Sequence, residues 1–425
     1  MPAGIAMPGT NVPASSLVTP GGAQGIQGLQ GQIGPNNVSA DPNNLASVGS
    51  DSKILVSSSK IWDMRLRSYN AAGNPNFEVD QIACGTSRSI AAGTGSLRYD
   101  RWTLTKTAAT AAVSVQQMSE NVVVPQTSFC VTSKFLRVTL TAQQSVLATS
   151  DILRITQSVE GCVLRELISD VTSLSLLARS SVPGSFGLSL QDSTGAYSLT
   201  KLCTIPVSGA WTLIKLPNIP VWTPSGTFPV NPGIVGYTLS IVPAAGATLT
   251  ASGNDVWQGG LLYGANGQSN FLASPVNSTF DIAFVQHEPG PVCSQLMDLP
   301  FARNYADCTR YYSRSANYGQ LSNTGISGYF VFLAPYGFVA TTTNGLFGHN
   351  PFPVRMAKVP SVLGYNPDNG TVNSAKWYNA TISGPITITS IGANETATGF
   401  INLSSTGTYA GPLTAIAHYT ADTGW

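Results

Sequence analysis

Three carboxylates stand close together where the patterned part of the chain begins: Glu78, Asp80 and Asp100. Two carboxyl groups flanking a sugar ring are the machinery of glycoside hydrolysis, one protonating the leaving oxygen and the other activating water or attacking carbon. These carboxylates lie among Asn, Pro and Gly, so their expected role is to make turns and bond the adjacent Arg101. His287 ends a strand-like run before Glu288-Pro289-Gly290. Any of the many serines completes a Ser-His-acid set with it on paper, so the combination singles out none. No G-x-S-x-G, Walker, H-E-x-x-H or EF-hand sequence occurs. No catalytic residue is assigned and no enzyme is expected. The histidines His287, His349 and His418 stand near no cysteine pair, which leaves no zinc site. Asp80 and Asp151 carry oxygens suited to calcium, but without ligand spacing. No metal and no cofactor is expected.

Binding chemistry is better represented. Sugar sites set aromatic faces beside hydrogen-bonding side chains. Trp222, in Pro220-Val221-Trp222-Thr223-Pro224, and Trp257, in Asn254-Asp255-Val256-Trp257-Gln258, fall in loop-like stretches, with Tyr263 close by. These three are the candidate carbohydrate-binding residues. A second reading stays open: the rings cap a sandwich core or fill a trimer interface.

The elements that must position such residues are strands. Of 425 residues, 42 are Gly and 27 Pro, and only 10% are charged, against about a quarter in ordinary soluble domains. Val, Ile, Thr, Tyr and Phe recur in short runs between Gly, Pro and Asn, an all-β composition. The net charge of +1 gives no pull toward nucleic acid or an anionic membrane. A surface coated with Ser, Thr, Asn and Gln loses little on desolvation. It suits burial in an assembly or contact with neutral sugars, although an extracellular-type β protein has the same composition. Six cysteines are far apart with no C-x-x-C, so buried free thiols are expected. The N-terminus has neither a basic start nor an apolar run, so no signal peptide is read, and no apolar stretch has the length of a membrane span.

In chain order, residues 1–66 read as an arm and linker. Within 22–36, Gly22, Gly25, Gly28, Gly31 and Gly34 keep an unbroken period of three. That is the collagen pattern, in which three chains wind together around an axis that admits only glycine. It implies a homotrimer; a periodic Gly/Gln tether is the other reading. Residues 67–292 carry period-2 runs. Leu136, Val138 and Leu140 alternate with polar neighbours, as do Leu153, Ile155, Gln157 and Val159; Leu174, Leu176 and Ala178 do so with Leu177 breaking the pattern. Phe280, Ile282 and Phe284 are expected on one face, with Glu288-Pro289-Gly290-Pro291 ending the strand. Such runs build a two-sheet sandwich. Residues 293–312 form a connector with one short amphipathic helix, Pro300 first, and Phe301, Tyr305 and Cys308 on its apolar face. Residues 313–425 read as a smaller β-sandwich.

Several landmarks stand out: NPNFE at 74–78, DRW at 100–102, QSVEG at 157–161, Trp211 with LIKLPNIPV, VQHEPGPV at 285–292, CTRYY at 308–312 and VRMAKVPSVLG at 354–364. In this order they resemble a jelly-roll family of bacteriophage virion proteins, found in tail fibres, receptor-binding proteins and other surface appendages and similar to carbohydrate-binding modules. Tyr305 stands where the family's L-x-x-C-x-R-Y-Y segment has leucine. The resemblance covers roughly residues 70–425 and implies a fold and a virion setting, not an activity. The function it implies is a homotrimeric tail fibre or spike, held to other virion proteins by the N-terminal arm. It would be exposed on the particle and attached to host surface polysaccharide, with no nucleic acid partner and no membrane insertion. A head fibre or decoration protein of capsid or neck is the alternative. A polysaccharide-degrading enzyme is a third, though no repeat supports the long parallel β-helix such enzymes use.

Overall fold

The computed structural model describes residues 46–48, 54–56, 69–125, 130–168, 171–220, 222–321, 330–333, 344–378, 383–391, 397–405 and 414–425. The chain divides into two compact units, Met1–Met64 and Arg65–Trp425. The first contains an antiparallel pair, β1 (Ala46–Val48) and β2 (Ile54–Val56). The triplet-glycine stretch 22–36 lies outside the described residues.

The second unit opens with a loop layer, residues 69–87. It continues through β3 (Arg88–Ile90), β4 (Gly93–Tyr99), β5 (Trp102–Ala108), β6 (Ala112–Val123), β7 (Cys130–Ala142) and β8 (Ile152–Glu160). A short helix, α1 (Gly161–Leu164), caps one end, and β9 (Thr172–Ser180), β10 (Gly184–Asp192), β11 (Tyr197–Ile205) and β12 (Thr212–Ile219) follow. Then come β13 (Val235–Ala245), β14 (Trp257–Gly259) and β15 (Thr279–Pro289). These strands form a seven-stranded sheet, β14-β11-β10-β13-β8-β5-β4, and a six-stranded sheet, β12-β9-β15-β7-β6-β3, antiparallel throughout. Their facing sides share one core that includes Leu104, Leu136, Leu140, Leu153, Ile155, Leu174 and Leu188. Burying each such side chain contributes about 1.5–3 kcal/mol. The expected two-sheet sandwich is therefore present.

Two departures from strict alternation have one cause. The six-stranded sheet is covered on its outer face as well. Val122, Val131, Phe135, Leu177, Phe284 and Leu296 make a second core there, with Trp211 against it. Leu177, the break in the alternation of β9, belongs to that outer core. In β15 the register against β9 shifts between Ile282 and Phe284. A bulge adds one residue to a strand and exchanges the faces beyond it. Phe280, Ile282 and Val285 thus point to the main core, and Phe284 points outward. The strand also continues through Glu288 and Pro289, which pair with Ser173 and Thr172, instead of stopping before them. A proline at the last position of a strand forfeits no ladder bond that the fold needs.

After β15 the connector leads to α2 (Phe301–Thr309), entered through Pro300. Its buried side carries Asn304, Cys308 and Thr309. Phe301 is 42% exposed and stacks on Tyr305, with Tyr318 edge-on to both. The expected apolar face is thus half correct. Cys308 faces in, but Asn304 takes the other inward position because the loop layer meets the helix with Asn74 and Asn76.

The C-terminal part comprises β16 (Tyr312–Arg314), β17 (Phe330–Leu333), β18 (Asn344–Pro351), β19 (Ser361–Tyr365), β20 (Ser374–Tyr378), β21 (Ser383–Ile391), β22 (Gly399–Ser405) and β23 (Thr414–Asp422). The described strands all hydrogen-bond into one sheet centred on β23, whose first half pairs with β17 and β20 and whose second half pairs with β16 and β19. A second β unit was expected here as a small sandwich. Among the described residues it is a single branched sheet, because one long strand offers both of its edges to two partners each.

Candidate functional site

The carboxylates singled out from the sequence make turns. Asp80 accepts the backbone N–H groups of Ala83 (2.9 Å) and Gly85 (2.7 Å). Asp100 accepts Gln81 N–H (2.6 Å) and Gln81 Nε2 (2.7 Å), and burial with Asp80 nearby pushes its carboxyl up to about 6. Glu78 accepts from Asn76 Nδ2 at 3.3 Å. Arg101 does not serve them. It donates to Ser158 O (2.8 Å) and lies over the Tyr311 ring. The His287 ring is fully buried between Tyr237 Oη (2.7 Å) and Thr172 Oγ1 (3.0 Å), and burial lowers its pKa to about 3. A ring held neutral and sealed in this way positions strands.

The candidate aromatic residues fall in two places. Trp222 belongs to the main core at 7% exposure, and its indole N–H donates to Leu167 O at 3.1 Å. Its ring contacts Phe228, Tyr237 and Trp257 at centroid distances of 5.0, 5.0 and 5.6 Å. Trp257 is half-buried on the edge strand β14, against the same core. Tyr263 lies on the outer face of the seven-stranded sheet with Ile152 and Val242, under the Arg154 guanidinium at 4.1 Å. Trp222 caps the core, as the second sequence reading allowed. The three rings do not form one platform.

What does converge is the set of sequence landmarks. Asn74 Nδ2 donates to Val79 O and Asp100 O, and Trp102 Nε1 donates to Asn74 O. Gln157 binds both backbone groups of Gly73. Asn76 Nδ2 reaches Asp298 Oδ1 at 2.6 Å, and Asn304 Nδ2 reaches Asn76 Oδ1 at 2.9 Å. Glu160, 1% exposed, receives Arg310 Nη2 (2.6 Å) and Nε (3.2 Å), Tyr311 Oη (2.7 Å) and Gly233 N–H (2.7 Å). Burial alone would raise the Glu160 carboxyl, but these four donors outweigh it and hold it below the ordinary range. NPNFE, DRW, QSVEG and RYY are therefore four strips of one junction between the sandwich and the segment that enters the C-terminal sheet. Sequence reasoning listed them without seeing that they meet. The one local signal they share is a charged or amide side chain in a chain poor in charge.

Two concavities flank this junction. One, of about 270 Å³, is lined by Tyr69, Arg101, Glu160, Arg303, Asp307 and Arg310. The other is a groove of about 490 Å³ between the loop layer and the C-terminal sheet, with Gln81, Thr86 and Arg88 on one wall and Tyr312, Arg314, Tyr365 and Thr420 on the other. A further hollow of about 330 Å³ shares Tyr312, Tyr365 and Thr420 and extends it toward Ser361 and Asp422. Two tyrosines with Gln, Thr and Arg around them can hold a polyhydroxyl ligand without covalent chemistry. Among the described residues no group of three or more His, Cys, Asp and Glu is placed to hold a metal ion. Cys84, Cys162, Cys203, Cys293 and Cys308 are free thiols, with burial pushing Cys203 up to about 12.

No family model matches the chain, and no curated protein matches it in sequence. Among solved structures, the carbohydrate-binding module TmCBM61 in complex with β-1,4-galactotriose is 12% identical over 52% of this chain and 98% of its own, with a TM-score of 0.25. The family 11 carbohydrate-binding module of Clostridium thermocellum, in complex with a mixed-linked tetrasaccharide, is 14% identical over 48% of this chain and 100% of its own, with a TM-score of 0.26. The enzymatically active domain of tailspike protein 4 of bacteriophage CBA120 is 12% identical over 51% of this chain and 21% of its own, with a TM-score of 0.25. The sandwich assignment rests on strand order and register, not on these likenesses.

Proposed function

We propose that this chain is a structural protein of a tailed bacteriophage particle, a homotrimeric fibre or spike that attaches to glycans of the host surface. The arm with Gly22, Gly25, Gly28, Gly31 and Gly34 joins three copies and holds them to other virion proteins. The observation that carries the attachment reading is the groove beside the junction, where Tyr312 and Tyr365 stand among hydrogen-bonding side chains. Three copies give weak sites a high effective concentration on a repetitive surface. The junction supports a structural role as well. Glu160 is saturated by donors from two separate segments, Gly233 of the sandwich and Arg310-Tyr311 just before β16, which ties the sandwich to the entry of the C-terminal sheet.

Light scattering on the purified full chain gives three times the mass of one chain, and removal of residues 1–45 lowers it. A monomeric full chain overturns the fibre reading. Immunogold labelling of intact particles separates tail fibre from head decoration, since gold on the capsid or neck favours the latter. Incubation with host envelope polysaccharide is expected to yield no new reducing ends.

A further inference from the structure

Each wall of the groove holds one buried polar side chain whose hydrogen bonds are incomplete. Gln81 is 1% exposed and Arg314 is 6% exposed. Gln81 spends its amide N–H groups on Asp100 Oδ1 and Tyr312 O, and its Oε1 has no protein partner. Arg314 gives Nη1 to Gln320 O and Cys84 Sγ and Nη2 to Asn317 O, and its Nε has none. An acceptor and a donor, both nine-tenths buried and both unmet, therefore line the same groove. Leaving such groups unpaired is costly, and few are left so in folded proteins. Hydroxyls are the simplest groups that meet both demands, since a hydroxyl can donate to an amide oxygen and accept from a guanidinium N–H.

The walls narrow the ligand further. Tyr312 and Tyr365 are both half-buried, so each offers part of a ring. Tyr365 Oη lies 3.3 Å from Thr420 Oγ1, which sets a pair of hydroxyls along one wall. Charge is balanced around the groove. Arg88 is turned onto Arg98 O, and Arg98 pairs with Asp422. Asp80 and Asp100 sit behind Gln81, close to Arg314. Three guanidinium groups (Arg88, Arg98, Arg314) and three carboxylates (Asp80, Asp100, Asp422) thus lie around the groove. No net field draws an anionic ligand in.

Resting on the glycan-attachment reading, we infer that this groove is the attachment site and that its ligand is an uncharged hexose or pentose unit of a surface polysaccharide. Hydroxyls of that unit meet Gln81 and Arg314, and an apolar ring face rests on Tyr365. The ligand is neutral because the carboxylates of Asp80, Asp100 and Asp422 offset the guanidiniums of Arg88, Arg98 and Arg314, so an acidic sugar gains no net attraction.

The test uses the full chain on a printed array of neutral and uronic-acid-bearing oligosaccharides, followed by calorimetry with the best binder. The expected result is binding to a neutral oligosaccharide, weakened about tenfold or more by Tyr365→Ala and by Gln81→Met, which keeps the side-chain volume. Thermal unfolding of each variant shows whether it still folds. Thr420→Val, nearly isosteric, gives a second reading on the same wall if Gln81→Met proves unstable. Binding that survives all three substitutions, or that is lost instead in Trp257→Ala, overturns the groove and leaves glycan attachment standing. Preference for uronic-acid-bearing oligosaccharides overturns the neutral class alone. No binding to any member of the array at millimolar concentration overturns the attachment reading and the groove with it.

Discussion

The Arg101 guanidinium lies 3.4 Å from the centre of the Tyr311 ring. This contact joins the turn after β4 to the second residue beyond α2, across 210 positions of chain. Arg101 has a positive φ of 69°, so the backbone is bent into an uncommon region to aim the side chain. Gly73 leaves it room: a Cβ there would fall 2.8 Å from Arg101 Nε. Tyr311 in turn gives its hydroxyl to Glu160. Loop layer, sandwich and C-terminal sheet are thus tied through one cation, one ring and one carboxylate.

Gly73→Ala is therefore expected to push the guanidinium off the ring and to cost about 1–3 kcal/mol in urea unfolding. Arg101→Lys is expected to restore little, because an ammonium does not stack flat on a ring as a guanidinium does. If Gly73→Ala leaves the urea midpoint unchanged, the close approach carries no weight.

The Glu160 cluster makes a second expectation. Tyr311→Phe keeps the ring beneath Arg101 and removes one donor to a buried carboxylate, at a cost of about 1.5–3 kcal/mol. Glu160→Gln removes the charge that Arg310 answers. Because Arg310 keeps 31% of its side chain in solvent, the loss is expected below the 3–5 kcal/mol of a fully buried pair, at about 2–3 kcal/mol. Limited proteolysis reports where the loss falls: cleavage should rise in the connector, within residues 293–300, before it rises in the sandwich. Equal protection of wild type and variant there contradicts a lock between the two parts.

Lys106 occupies an inward position of β5, between Leu104 and Ala108, and is fully buried. Its ammonium donates to Gly93 O (2.6 Å), Ala111 O (2.8 Å) and Ala108 O (3.3 Å). One cation thus closes the β4–β5 edge and the turn before β6. Lys106→Met matches the shape of the stem but leaves three carbonyls without that donor, each worth about 1 kcal/mol or more. A loss of about 2–4 kcal/mol is expected by chemical unfolding. A variant as stable as wild type means that the carbonyls find other donors.

These cases show what the sequence could and could not reveal. Alternation was legible wherever one face of a strand is wet, as in Leu136, Val138 and Leu140 against Arg137, which pairs with Asp281. It failed in β9 and β15, where both faces of the sheet are covered and a bulge exchanges them. Polar residues on core faces, Lys106 and Gln157, carry no sign of their carbonyl partners in a linear string. The junction was least legible of all. Asn76 meets Asp298, and Glu160 meets Arg310, through contacts between residues more than a hundred positions apart, and local pattern does not encode pairings at that range. Trp222 read as a loop aromatic because prolines surround it, yet burial of an indole outweighs the irregular backbone that carries it.

Asp100 and His287 impose opposite pH dependences. The Asp100 carboxyl titrates at about 6 in the fold, above its ordinary value, so the stability it contributes is present below about 4 and lost as pH rises through 6. Asp100→Asn removes that loss. Relative to wild type it is expected to gain up to about 3 kcal/mol between pH 4.5 and 7.5. A pH-independent difference between the two proteins contradicts a raised Asp100.

For His287 the sign reverses. Its ring is neutral in the fold down to about pH 3, whereas the unfolded chain takes up a proton near 6.5. The unfolded state therefore binds more protons throughout that window. Stability from this site is present above 6.5 and falls by about 1.4 kcal/mol per pH unit below it. In imidazole NMR the His287 resonance is expected to stay at its neutral position at pH 5. A midpoint near 6.5 would mean that the ring reaches water and that the contact with Tyr237 is not sealed. His287→Gln, which keeps a donor and an acceptor between Tyr237 and Thr172, is expected to unfold more easily at pH 7. The gap should narrow as the solution is acidified, because only the histidine pays the proton penalty. A gap that widens toward acid would reverse the assignment of a neutral ring.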